Sequence, residues 1–367
     1  VNPARERASV GDIEVAEAMP SKIDDFVGSI QTARKGLGNS FLAALGRERM
    51  PECPDDVEDA AVATKGLVKR FGDEIAVNGL TFAVPRGCIF GFVGPSGCGK
   101  TTTIRLLTGF YKPTSGSVMV LGCSPQCFDA DTRSRIGYMP QNFVLYPNLT
   151  VWENLSFSAS IYGVDLQRER RFRQLLDFVQ LTADRTKKAH ELSGGMQRRL
   201  SLAATLTHDP ELIFLDEPTA GIDPMLRQKL WSHFRELQKE GRTLFITTQY
   251  VGEAAYCDLV GLMAEGRLLA MDTPANLRRR AFGGDAVDVE LPDLVDTSTL
   301  SLLEGFPFVR RVIRLGEKSV RIVVNQAGTA VPALVQWHKE RGIEVESIQE
   351  YQPPFDEIFV QLVENGS

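Results

Sequence analysis

The residues of this 367-residue chain best suited to chemistry are one lysine, one threonine and two acids. The stretch CIFGFVGPSGCGKTTTIRLLTG reads as an apolar strand, a glycine-rich loop and a helix. Within it Gly94, Pro95, Ser96, Gly97, Cys98, Gly99, Lys100, Thr101 and Thr102 carry the spacing G-x-x-x-x-G-K-[ST]. Glycines let backbone N–H groups turn inward onto phosphate oxygens, and the following helix presents its positive end to the same anion. Lys100 would reach the β and γ phosphates, and Thr101 would hold Mg²⁺. The stretch ELIFLDEPTAGID supplies a partner: four apolar residues, Leu212–Leu215, form a buried strand that ends in Asp216. An acid there can hold the Mg²⁺ shell. Glu217, pointing elsewhere because strand residues alternate, is placed to polarise an attacking water.

Between these two lies HELSGGMQRRLSLAATL, in which Ser193, Gly194 and Gly195 open a helix with Arg198 and Arg199 in its first turns. A serine and two glycines at a helix start make a second anion site. With two phosphate-binding helix ends in one chain, the sequence resembles the ATP-binding subunit of an ABC transporter over about residues 63–283. LSGG followed by glutamine is that family's most specific motif. The resemblance implies that Phe71 in LVKRFG stacks on adenine and that Gln141 in GYMPQN touches the metal and the attacking water. It further implies that Asp223 lies in a loop crossing to a second subunit. A head-to-tail dimer follows, with Ser193 and Gly195 of one chain covering the ATP held by Lys100 of the other. ATP is then the adhesive, and hydrolysis opens the dimer.

One position departs from the family pattern. Most members carry a histidine after the strand in FITTQYVGEA, where this chain has Gln249. A histidine donates to the γ-phosphate and can carry charge near neutral pH. A glutamine amide also donates but stays neutral. The resemblance to daunorubicin-resistance exporter subunits, a branch with TTQ here and a small C-terminal domain ending like PPFDEIFVQL, points to a retained γ-phosphate contact. A degenerate, weakly active site is the alternative reading.

The elements that must position these residues are those of an α/β protein. The chain is 43% apolar and 24% charged, enough for a large core. Net charge is −6, which argues against a nucleic-acid partner. Six cysteines show no metal spacing, and scattered thiols suit a reducing cytosol. No apolar run approaches the ~18–20 residues that span a bilayer. Residues 1–62 form an N-terminal extension: a helical apolar stripe from Ile23 to Leu45, then the acidic linker MPECPDDVEDA. The stripe suits a helix docked on this chain or a partner, or one lying on a membrane surface. Residues 63–283 alternate strands and helices as a P-loop ABC-type nucleotide-binding domain with parallel strands, its helical subdomain at about 142–205. Residues 284–367 read as βαββαβ, a C-terminal α+β ferredoxin-like domain, closed by an amphipathic helix. Trp337 is expected to pack and His338 to lie at the surface.

An ATP-driven dimer can serve several tasks. The reading favoured here is the energising subunit of an exporter whose spanning part is a separate transmembrane permease. It would sit peripherally on the cytoplasmic face of the membrane beside a second nucleotide-binding domain. Asn142–Leu155 would face the permease, although Phe143, Tyr146 and Trp152 suit the core of the helical subdomain equally. A soluble ABC ATPase acting on ribosomes or DNA is the alternative; such proteins show tandem nucleotide domains, coiled coils or zinc cysteines. The chain starts at Val1, which leaves open half of a larger fused transporter.

Overall fold

The computed structural model describes residues 60–164, 168–292, 294–295, 297–341 and 345–365. The amphipathic stripe and most of the acidic linker expected in residues 1–62 lie outside them. The first strand, β1 (Ala60–Phe71), starts inside that expected extension, because Ala60, Ala61, Val62 and Ala63 are all buried. It runs antiparallel between β2 (Glu74–Pro85) and β4 (Ser115–Val120). A second sheet holds β3 (Ile89–Val93), β5 (Ile136–Met139), β6 (Leu212–Asp216), β7 (Thr243–Thr248), β8 (Leu259–Ala264) and β9 (Arg267–Asp272). Its order is β5-β6-β7-β3-β8-β9, parallel except for the β8–β9 hairpin. Every residue of β3, β6 and β7 is buried. Near-continuous apolar runs of this kind belong to parallel strands covered on both faces.

Two cores cover those faces. Between the two sheets, Phe82, Phe90, Phe92, Phe214 and Phe245 pack as an aromatic cluster, with Phe90 and Phe245 ring centroids 4.9 Å apart. Here lies α1 (Lys100–Leu107), which follows β3; the short α2 (Ala130–Ser134) precedes β5. The opposite core joins Ile213, Leu215, Leu244 and Ile246 to α3 (Val151–Ile161), α4 (Arg168–Phe178), α5 (Gly194–Thr205), α6 (Pro224–Lys239) and α7 (Pro274–Phe282). Four of these starts are written in the sequence. Thr150 and Glu153 close a reciprocal capping box on α3, while Ser193, Asp223 and Thr273 accept backbone N–H bonds at the starts of α5, α6 and α7.

After α7 the chain builds a four-stranded antiparallel sheet of β10 (Asp285–Glu290), β11 (Val309–Arg314), β12 (Ser319–Val324) and β13 (Ser347–Tyr351), in the order β11-β12-β10-β13. Helices α8 (Thr297–Glu304) and α9 (Ala327–Arg341) supply Leu303, Ala330, Leu334 and Trp337 to its separate core. His338 is buried there and not at the surface as expected. Its ring meets Trp337 edge-on, and Nδ1 lies 2.7 Å from the Leu334 carbonyl oxygen. Neighbours on a helix can both be covered, as Trp337 and His338 are here, and a helical spacing alone does not exclude that.

The last helix, α10 (Phe355–Asn365), leaves this domain and returns to the first one. Phe355, Ile358 and Leu362 form one stripe buried with Leu277, Ala281, Ala254 and Cys257. The helix therefore rests on α7 and on the short 3-10 turn Val251–Tyr256 that follows β7. We expect Ile358→Ala to lower the unfolding free energy by about 2–5 kcal/mol in urea titrations. The exposed neighbour Val360→Ala should change it by less than about 0.5 kcal/mol. Equal effects of the two would contradict this packing.

Candidate functional site

The glycine loop runs from the end of β3 to the start of α1, and its neighbours dictate the residue type. A Cβ on Gly94 would stand 2.1 Å from the Met263 carbonyl oxygen. One on Gly99, whose φ is +107°, would stand 2.3 Å from the Ala76 carbonyl oxygen. Gly94 N–H also donates to the Thr248 carbonyl at 3.2 Å, so the loop is tied to the end of β7. Lys100 is buried, and its ammonium donates to the carbonyls of Gly94 (2.8 Å) and Pro95 (2.9 Å). Pro95, Ser96 and Gly97 are exposed at the crown, and Thr102 is half-buried in the first turn of the helix. Burial pushes the Cys98 thiol up, against the pull of Lys100 beside it, so it stays protonated next to that cation.

Three side chains meet below the loop. Thr101 donates its hydroxyl to Asp216 Oδ1 at 3.2 Å, and Thr247 donates to the same oxygen at 2.6 Å. Asp216 has no exposed surface, and its Oδ2 has no hydrogen-bond partner among the described residues. A bare buried carboxylate oxygen is costly unless a cation or donor joins it. A hydroxyl and a carboxylate are also the hard oxygen donors that Mg²⁺ takes. The residues present therefore fit that ion.

Glu217 follows with φ +52°, in the left-handed region that side chains other than glycine rarely adopt. Its N–H is held by the carbonyl and the hydroxyl of Thr247, each at 3.1 Å. This turn sends the side chain away from that of Asp216, where Oε2 accepts from the Gln141 amide at 3.2 Å. So the structure brings together Lys100, Thr101, Asp216, Glu217 and Gln141. Gln249 sits at the exposed end of β7, between the ends of β6 and β3, with no side-chain hydrogen bond among the described residues. Phe71 is 41% exposed and packs edge-on against Tyr111 at 5.2 Å. The Lys69 ammonium lies 5.0 Å and 5.4 Å from the two ring centroids. The result is an open aromatic platform.

Ser193, Gly194 and Asp223 are exposed and are not joined to this cluster; Gly195 is half-buried. Ser193 Oγ accepts from Met196 N–H at 3.3 Å, and Asp223 accepts from Leu226 N–H at 3.0 Å. The arginines of that helix turn inward. Arg198 donates to the carbonyls of Gln141, Asp216 (2.7 Å) and Glu217, binding α5 to the acid-bearing turn. Burial draws its guanidinium down from the usual range, opposed by Glu217 and Asp216. Arg199 donates to Val179 and Gln180 carbonyls instead. Sequence reading placed both only in the first helical turns and missed this role. It also missed Thr247, although a threonine two residues before Gln249, in a strand otherwise rich in apolar residues, was a signal.

The chain is similar to known proteins. Residues 77–220 match the family model described as ABC transporter. The chain is 35% identical over 294 residues to the "Probable multidrug ABC transporter ATP-binding protein YbhF" of Escherichia coli (strain K12), a match that covers 77% of this chain and 50% of that protein. It thus spans half the length of that relative. It is 34% identical over 306 residues to the daunorubicin resistance ATP-binding protein DrrA3 of Streptomyces coeruleorubidus, covering 83% of this chain and 96% of that one. Among solved structures, a dimeric post-hydrolysis ATP-binding cassette bound to ADP and Pi superposes with a TM-score of 0.54 at 26% identity, over 58% of this chain and 98% of that one.

The bare oxygen of Asp216 gives a direct test. In Asp216→Asn the amide oxygen still accepts from Thr101 and Thr247, while the buried charge is gone. We expect the free chain to melt within about 3 °C of the parent. The rise in melting temperature caused by ATP with Mg²⁺, over ATP with a chelator, should fall by more than half. An undiminished Mg²⁺-dependent rise would contradict the metal assignment.

Proposed function

The chain belongs to the ABC transporter ATP-binding proteins, and from that premise we propose that it binds ATP with Mg²⁺, hydrolyses it, and powers a separate membrane permease. The observation that carries this reading is the shared Asp216 carboxylate, one oxygen saturated by Thr101 and Thr247 and the other bare, directly beneath the Lys100 loop. Thr101, Asp216 and Gln141 would hold the ion. When bound, Mg²⁺ neutralises charge on the phosphate oxygens. Lys100 exchanges its carbonyl contacts for phosphate oxygens, and the loop N–H groups orient the chain of phosphates. Glu217, held off Asp216 by its left-handed turn and steadied by Gln141, accepts a hydrogen bond from the attacking water. Gln249 donates its amide to the γ-phosphate from the end of β7. Phe71 and Tyr111 receive the adenine.

The reading includes a head-to-tail dimer. Glycine costs a helix about 1 kcal/mol relative to alanine. Yet among the described residues a Cβ on Gly194 would meet nothing within 4 Å, and one on Gly195 only an ordinary contact at 3.7 Å with the Gly221 carbonyl. Close approach by something outside the chain accounts for two glycines in the first turn of α5. The γ-phosphate held by Lys100 of a second copy fits, with Ser193 and the helix N-terminus as donors and Asp223 facing across the same junction.

The family's partner is a permease, and the relatives' names, multidrug and daunorubicin resistance, favour an exporter. Among the described residues no helix is long and apolar enough to cross a membrane, which is consistent with a peripheral subunit on the cytoplasmic face. Val144, Tyr146, Phe157 and Ile161 are exposed on the helical subdomain and suit a permease helix, whereas Phe143 and Trp152 pack on the core. The strand order β11-β12-β10-β13 with two helices on one face supports a ferredoxin-like module, which α10 would brace against the ATPase domain.

Glu217→Gln tests the reading as a whole. We expect ATP turnover by the full chain to fall by at least about a hundredfold, while ATP with Mg²⁺ shifts the variant to a dimer in size-exclusion chromatography. A monomer under saturating ATP, or turnover near that of the parent, would contradict it.

A further inference from the structure

Besides Asp216 and Glu217 a further acid is buried, and it has no role in the motifs. Glu253, in the 3-10 turn after β7, is 3% exposed, and both its oxygens are engaged. Oε1 accepts from the Thr219 hydroxyl at 2.7 Å and Oε2 from the Thr248 hydroxyl at 2.6 Å. Both threonines are buried as well. Thr219 stands in the turn that runs from Glu217 to Asp223, and Thr248 immediately precedes Gln249. Arg227, on α6, places Nε 3.7 Å from Glu253 Oε1 and its guanidinium 4.4 Å from the Tyr250 ring centroid. It also donates to the Ile222 carbonyl at 3.3 Å, while Tyr250 N–H donates to the Thr248 hydroxyl at 3.0 Å.

One carboxylate therefore joins the two segments again beyond the backbone bond from Glu217 N–H to the Thr247 carbonyl. One carries Gln249 toward the phosphates; the other carries Asp223 toward the second copy. Hydroxyl-to-carboxylate bonds are short, directional and stronger than neutral ones. Apolar side chains would fill the same space without burying a charge, so packing alone does not call for an acid. What an acid adds is a fixed geometry at both ends at once. We propose that Glu253 is a positioning residue for the ATP reaction: it locks the end of β7 to the Asp223 turn, so that Gln249 engages the γ-phosphate only when that turn is in place. The inference rests on the ATP reading above.

The test is a double-mutant cycle on ATP turnover by the full chain. Glu253→Ala should lower kcat about tenfold, with KM for ATP changed less than about twofold, because the Glu253 side chain bonds neither Phe71 nor a residue of the Lys100 loop. Glu253→Gln, whose amide accepts from one hydroxyl and donates to the other, should recover turnover to within about threefold of the parent. In a Gln249→Ala background, Glu253→Ala should cost less than about a further twofold, since its effect runs through Gln249. If Glu253→Ala fails to fold, Thr248→Val enters the same cycle in its place. Additive losses, a loss confined to KM, or no rescue by glutamine would overturn the positioning role while leaving ATP hydrolysis standing. A parent chain with no turnover would overturn the ATP reading, and this role with it.

Discussion

Asp216 is a carboxylate without exposed surface, shared between a hydroxyl on the loop helix and a hydroxyl on the neighbouring strand. That sharing fixes α1 against β6 and β7 and so sets where Lys100 stands relative to the acids. It also saturates one oxygen and leaves the other bare. A buried charge half-satisfied in this way is held in place by the surrounding fold, not by its own stability. The parallel sheet supplies the frame, because its order puts the ends of β6, β7 and β3 side by side. Ligands of open α/β sheets gather at such carboxyl ends.

Around that carboxylate the turns are held by charge-assisted bonds as well as by the packing of Ile222 and Ala254. Arg198 gathers three carbonyls from two segments, and Glu253 gathers two hydroxyls from two others. Each brings a loop that would otherwise move independently into register with the sheet. Further out the logic reverts to apolar burial, as where α10 returns from the C-terminal sheet to lie on the turn holding Glu253. The C-terminal element thus contacts the segment that carries Gln249's support.

Much of this was legible in the residues. The glycine loop, the acid-ended strand and the serine-glycine helix start each combine a local backbone requirement with a chemical one, and local requirements leave a mark on sequence. The βαββαβ order was legible for the same reason, since period-2 and helical patterns alternate cleanly there. What stayed hidden depends on contacts between distant segments. Thr247 matters because register sets it beside Asp216, and Arg198 because α5 points it at the turn after β6. Glu253 looked like one acid among many until its two threonines closed on it. His338 was assigned to the surface because a helical spacing does not reveal that two neighbours, Trp337 and His338, are both covered. The start of β1 at Ala60 was masked by the acidic residues just before it.

On the proposed function, the Lys100 loop of one copy and the Ser193–Gly195 helix end of another enclose a single nucleotide. Mixing two inactive variants tests it most directly. In a heterodimer of Lys100→Ala with Gly194→Asp, one composite site carries both lesions and the other carries none. Each variant alone is expected to be inactive, and ATP turnover should return on mixing, in proportion to the heterodimer formed. Turnover that stays at the level of the separate variants, with heterodimer present, would contradict it.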